Sequence, residues 1–196
     1  MSDSLALRFT RTIRARNGEV ADALADTAGL TAWVRQNAAD LGVDAGGFTA
    51  SDSLRDEVVL LRQAVRALFA RAVAPGEPSS ADAARLPAFT EALAAVNAAA
   101  MAVPLAPQLD WPACSEPTVR VTPSAQVSEQ VRLRATLARA AIEFLAGPER
   151  ERLRACPAPR CVIYFIKEHT RQEWCSVTCG NRARAARHYQ RHRDHL

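Results

Sequence analysis

The chain has 196 residues, is 48% hydrophobic and 23% charged, and carries a formal net charge of +4. This length fits one domain of ordinary size, or one domain plus a small appendage, and is ample for a buried core. No apolar run approaches the ~20 residues of a membrane helix. The Met1-Ser2-Asp3-Ser4-Leu5 start lacks the basic and apolar stretches of a secretory signal, so a cytoplasmic protein without a membrane contact is expected.

Lys167 is the only lysine among 25 basic residues, and alanine makes up about a fifth of the chain. That bias is the one expected of a GC-rich bacterial genome. It also favours helix, because alanine has the highest helix propensity.

In chain order, Thr27 is expected to cap a helix carrying Leu30, Trp33, Val34 and Leu41, with Gly42 just past its end. A long helix should follow Ser51, with Leu54, Val58, Leu61, Val65 and Leu68 on one stripe. The Pro75-Gly76-Glu77-Pro78-Ser79-Ser80 run predicts a loop. Leu86, Phe89, Leu93, Val96 and Ala100 form the next expected stripe. Between Pro104 and Pro123, five prolines and short β-prone runs suggest a small hairpin or an extended link.

A further helix is expected from about Ala125 to Ala146, with Val127, Val131, Leu137, Ala141 and Leu145 inward, ended by Gly147-Pro148. Glu149 to Arg154 reads as a short helical lead-in. The best strand in the chain is Val162-Ile163-Tyr164-Phe165-Ile166, with His169 to Glu173 polar enough to turn it back. Ser176 should cap a last helix running towards His195.

Charge divides unevenly. Residues 150–196 hold eleven basic and four acidic side chains, a net +7, leaving −3 on the first 149. A basic tail on a mildly acidic body is the footprint of a polyanion-binding appendage, although a solvated helix surface gives the same count.

The tail also holds four of the five cysteines: Cys156 and Cys161, then Cys175 and Cys179 thirteen residues on. Zn²⁺ takes four donors at tetrahedral corners, and two close-spaced pairs supply them from two short segments. Two disulfides are the alternative pairing, disfavoured in a reducing compartment. Four thiolates leave no open position for water, so one structural rather than catalytic zinc is expected. Placing the second pair at a helix N-terminus favours thiolate charge. The layout is treble-clef-like: a tight knuckle, a hairpin, then a ligand-bearing helix. Cys114 is expected to be a free thiol.

The segment Cys175-Ser176-Val177-Thr178-Cys179-Gly180-Asn181-Arg182, together with Cys156, Cys161, Phe165 and Trp174, resembles the CGNR zinc finger. Leu5-Ala6-Leu7 with Phe9 and Thr12, Leu30 to Val34, and Arg139 to Leu153 resemble the ABATE domain of bacterial stress-induced transcription regulators. The resemblance implies a mainly α protein, with an ABATE-like helical domain over 1–150 that includes a small β-hairpin. The finger, with its basic C-terminal helix, would cover 151–196. Asn181 and Trp174 would support the metal from the second layer. The chain departs from the family in carrying Arg8 and Arg11 near its N-terminal motif, a shorter inter-pair hairpin, and Glu173 where relatives carry arginine.

On the last helix, Arg184, Arg187 and Arg191 fall on one face at i, i+3 and i+7, with His188 beside them. Ala183, Ala186 and Tyr189 are expected to face the finger. Arginines so arrayed neutralise phosphates and donate to guanine edges, so Arg182, Arg184, Arg187, His188 and Arg191 are the expected nucleic-acid contacts. His188 and His192, four residues apart, read as surface residues because the cysteines already complete a metal site.

The leading expectation is a DNA-binding transcription regulator whose body dimerises or senses a small molecule. A protein- or RNA-interaction module with a purely structural finger is the alternative. No Ser/His/Asp set, phosphate-cradling glycine loop or open metal site points to an enzyme.

Overall fold

The computed structural model describes residues 4–16, 19–79, 82, 86–124 and 126–193. In chain order the elements are α1 (Leu5–Thr10), β1 (Ile13–Arg16), β2 (Glu19–Asp22), α2 (Thr27–Gln36), α3 (Ala38–Leu41), α4 (Asp52–Val73) and α5 (Phe89–Met101). They continue with β3 (Leu105–Asp110), β4 (Thr118–Pro123), α6 (Glu129–Ala146), a 3-10 turn (Pro148–Arg152), β5 (Leu153–Ala155), β6 (Tyr164–Ile166) and α7 (Val177–Arg193). The fold is mainly α, and the strands form three separate antiparallel pairs.

Short polar side chains start the helices. Ser4, Asp26, Ser51 and Ser128 each accept a hydrogen bond from the N–H three residues on, satisfying a donor that has no intrahelical partner. Asp26, rather than Thr27, caps α2, and the expected single helix to Leu41 breaks at Asn37 into α2 and α3. Gly42 ends α3 in the left-handed region at φ 64°, the conformation glycine adopts without penalty.

The central helix α4 begins where the sequence places it and buries Leu54, Val58, Leu61, Val65 and Leu68. Against it lie α5 and α6. Phe69 of α4 stacks on Phe144 of α6 at 5.1 Å between ring centroids, and Phe9 meets Trp33 at 5.7 Å.

Three helical expectations are corrected. In α5 the buried residues are Ala92, Val96 and Ala100, whereas Phe89 and Leu93 are exposed and Leu86 precedes the helix. Small side chains at i, i+4 and i+8, two alanines around Val96, give α5 a flat face, and that face packs inward. α6 starts at Glu129 behind its Ser128 cap, and Leu133 and Phe144 are buried while Val127, Val131 and Leu145 are only partly covered. The lead-in is helical only to Arg152, because Leu153, Arg154 and Ala155 pair as strand β5 with Ile166, Phe165 and Tyr164.

The Pro104–Pro123 stretch does form a hairpin, β3 with β4, in the register Leu105 to Pro123 through Asp110 to Thr118.

Two arginines of α4 lie on its buried side. Arg62 makes a two-pronged contact with Asp22, 2.6 Å on each arm, and donates to Thr12 Oγ1 at 2.9 Å. Arg66 donates to both oxygens of Asp82, to Ser79 Oγ, to the Thr10 carbonyl and, at 3.0 Å, to the Val162 carbonyl. Buried guanidinium groups are tolerable when they are matched by acceptors like this. Leu153 and Tyr164 belong to the same apolar core as the helices, with Ala155 and Ile166 packed against it. The C-terminal segment is thereby built into the body, and Arg11 Nε adds a bond to the Tyr164 carbonyl at 2.9 Å.

Candidate metal centre and its basic helix

Cys156 and Cys161 bracket the turn between β5 and β6. The Cys156 N–H donates to the Ile163 carbonyl and the Cys161 N–H to the Ala158 carbonyl, both at 2.9 Å, so the knuckle is an extension of the hairpin. Arg160 takes φ 60° inside it, a left-handed conformation that lets the chain turn within four residues. The expected order of knuckle followed by hairpin is corrected. The strand that pairs with Tyr164–Ile166 lies before Cys156, and β6 is three residues long rather than five. After β6 the chain turns at His169, whose carbonyl accepts from the Gln172 N–H at 3.0 Å.

Cys175 and Cys179 straddle the start of α7. Ser176 accepts from the Cys179 N–H at 3.2 Å, as an N-cap does, and the positive end of the helix dipole therefore faces the sulfurs. All four Sγ atoms lie within 4.8 Å of one another. Cys161, Cys175 and Cys179 form a triangle with edges of 3.7, 3.5 and 3.7 Å. A tetrahedron with Zn–S bonds of ~2.3 Å has edges of ~3.8 Å, so this donor set fits zinc. No disulfide joins them.

The electrostatics agree. Hydrogen bonds from the Cys161 and Cys175 thiols pull Cys156 down to about 2. Donation to the Cys156 sulfur pushes the Cys161 thiol up to about 12, and Cys175 higher still. Cys156, Cys161 and Cys175 this close cannot all shed protons by themselves. A divalent cation makes all four thiolates stable together.

The model of the ABATE family, described as "Putative stress-induced transcription regulator", matches residues 3–148, and that of the CGNR zinc finger matches 152–192. The chain belongs to the ABATE family. No curated protein matches it. Four of its five cysteines, carried by a CGNR zinc finger, are positioned to hold one structural zinc ion.

Each residue of the finger's signature has a visible task. A Cβ on Gly180 would stand 3.1 Å from Cε3 of Trp174, so its absence lets α7 lie against the indole. Arg182 Nη2 donates to Cys179 Sγ at 3.1 Å, placing a guanidinium against one of the four candidate ligand sulfurs. Asn181 is exposed, and its Oδ1 accepts from Arg184 at 2.5 Å. Trp174 packs beside the cluster of Cys156, Ala158, Cys161, Phe165, Cys179 and Ala183. Arg182 and Trp174 thus lie beside the ligand sulfurs, while Asn181 bonds to Arg184.

The guanidinium carbons of Arg184 and Arg187 each sit 5.8 Å from the Trp174 ring centroid, close enough for a cation–π contact. Arg191 Nε reaches back to the Arg187 carbonyl at 3.4 Å. Arg184, Arg187, His188 and Arg191 are all on the outer side of α7, with Arg184, Arg187 and Arg191 set along one stripe. Ala183 packs on the finger as expected, but Tyr189 is exposed, because α7 runs on past the small finger core. The side chain of His192 and residues 194–196, His195 among them, lie outside the described residues.

Sequence reading missed Arg11 and Arg14. With Arg182 they line a cavity of about 350 Å³ that also touches Cys161, Cys175 and Cys179. A zinc ion with four thiolates carries a net charge of about −2, which these arginines face. No spacing rule connects Arg11 to Cys161; folding brings them together. Arg8 lines a different cavity and pairs with Asp40. Cys114 is exposed in the turn between β3 and β4.

Proposed function

We propose that the protein is a DNA-binding transcription regulator in which zinc is structural and α7 supplies the contact surface. One observation carries this reading: the arginine stripe sits on a helix whose start is anchored by two zinc ligands. Arg184 and Arg187 are steadied there on Trp174. Arginines that are already oriented lose less freedom when they engage phosphate, and their planar forks suit guanine edges. With four thiolates filling the zinc, we propose binding rather than catalysis as its task.

We place the small-molecule effector in the cavity of about 640 Å³ between α1, α3 and α6, whose lining includes Arg8, Asp40, Arg139 and Glu143. Its paired charges of both signs suit a polar, zwitterionic ligand. A homodimer would present two copies of α7 to adjacent half-sites.

The test is duplex binding by the zinc-loaded full-length chain across a salt series. Replacing Arg184, Arg187 and Arg191 with alanine should flatten the log–log salt slope by roughly 0.9 for each phosphate that is no longer neutralised. Duplex binding indifferent to all three replacements overturns the reading. RNA or heparin competing as well as every duplex would instead favour the interaction-module alternative.

A further inference from the structure

The β3–β4 hairpin is amphipathic, and its apolar face is turned outward. The register places Leu109 opposite Val119, Pro107 opposite Val121 and Leu105 opposite Pro123 on one face, and Trp111 follows directly. Leu109 is 69% exposed, Val119 68%, Trp111 66%, Val121 55% and Leu105 42%. The partly covered residues Ala106, Asp110 and Thr122 lie on the opposite, more polar face, where Asp110 pairs with Arg120. A one-sided antiparallel sheet ordinarily packs its apolar face and solvates the other. Here the order is reversed. The two strands pack chiefly on each other, and a lone hairpin is marginal in water without a partner for its apolar side.

We propose that this face is the homodimer interface, with the hairpin of one chain packed on that of a second copy. Two arguments select a second copy over another partner. The outward face contains no charged or hydrogen-bonding side chain apart from the Trp111 indole N–H, so it is complementary to itself under a two-fold axis. The exposed side chains also supply roughly 600 Å² of apolar surface per chain. Two such faces reach the ~1,200 Å² at which specific interfaces begin. Exposed Met101, at the end of α5, lies just before β3 in the chain. This placement differs from a dimer formed through the helices, and it does not depend on the nucleic-acid reading.

Sedimentation of the zinc-loaded full-length protein, without nucleic acid, tests it. At micromolar concentration the mass should be twice the 21.2 kDa of one chain. Leu109→Thr with Val119→Thr puts strand-compatible β-branched residues at both positions and should weaken the dimer by roughly 100-fold or more. Gln108→Lys with Thr122→Lys, on the opposite face, should leave it intact. In the wild type, which carries three tryptophans, the summed emission should shift to the red on dilution as the Trp111 indole becomes wet while buried Trp33 keeps its surroundings. A monomeric wild type, a dimer that survives the threonine pair, or emission unchanged across dissociation each overturns the proposal.

Discussion

Arg66 and Tyr164 meet over one carboxylate. The guanidinium carbon stands 5.1 Å from the phenol ring centroid, and both side chains donate to Asp82. One comes from the long central helix and the other from the zinc-bearing segment, so a buried polar network joins the two. Burial and the Asp82 carboxylate push the Tyr164 phenol well above its ordinary value, keeping it a donor. Tyr164→Phe removes the bond to Asp82 and the longer one accepted from the Ser79 N–H, and should lower stability by about 1–2 kcal/mol. Arg66→Met leaves Asp82 buried without its cation and should lower it by about 3–5 kcal/mol. Urea unfolding monitored by far-UV circular dichroism checks both. One coincident transition for body and finger is expected in the wild type, since they share a core.

Zinc removal should be felt beyond the finger. The cluster around the cysteines is small, and three of its six buried members are themselves ligands, so metal bonds replace the missing apolar core. Without them the knuckle releases β6, and Tyr164 leaves its seat beside Phe69, a 5.6 Å edge-to-face contact. A chelator, or Cys156→Ser, should therefore lower the melting temperature of the helical body as well as unravel the start of α7. Calorimetry with and without zinc measures this. A body transition that stays put would contradict it.

Arg182 is expected to act through the metal. Its contact with Cys179 Sγ is a charge-assisted bond to a thiolate ligand, and removing such a partner typically weakens metal affinity 10–100-fold. Arg182→Ala should shift a competitive zinc titration by that factor while far-UV circular dichroism stays the same. Arg184→Ala, whose side chain rests on Trp174 and Asn181, should leave zinc affinity near the wild-type value.

Acid should loosen the β1–β2 end of the body first. Burial works to raise the pKa of Asp22, but hydrogen bonds from Arg62 and the Leu24 N–H, together with the charges of Arg62 and Arg55, outweigh it and lower the pKa below 3.8. A depressed folded value means that the carboxylate stabilises the fold fully above 3.8, and that this contribution disappears as pH falls below it. Stability followed down to about pH 3 should drop less steeply in Asp22→Asn than in the wild type. That variant should also start from a lower plateau, since Arg62 remains buried.

Long, regular features were legible from sequence. Ser51 and the α4 stripe, the Gly42 and Gly147 stops, and the four cysteine ligands all follow from local rules of capping, periodicity and donor spacing. What was not legible arises mostly where residues far apart in the chain meet. Arg62 and Arg66 look like surface residues on a helical wheel until Asp22, 40 residues away, and Asp82, 16 away, are folded against them. Leu153-Arg154-Ala155 has no strand signal of its own and becomes one only through its pairing with Tyr164–Ile166. In α5 the rule that large apolar residues turn inward failed, because close approach to α4 favoured Ala92 and Ala100 over Leu93.

Val162, Tyr164 and Leu153 also set how the protein is to be dissected. Cutting the chain after residue 150 would strip the body of two core side chains and leave Arg66 one acceptor short. The severed piece would begin beside the strand that closes its own knuckle. Neither fragment would report on the intact molecule, and an activity that vanished on truncation would be indistinguishable from misfolding. Separating recognition from folding calls for single changes on the solvent side of α7, such as at exposed Arg191, whose side chain reaches only the Arg187 carbonyl among the described residues, whereas Arg187 also rests on Trp174.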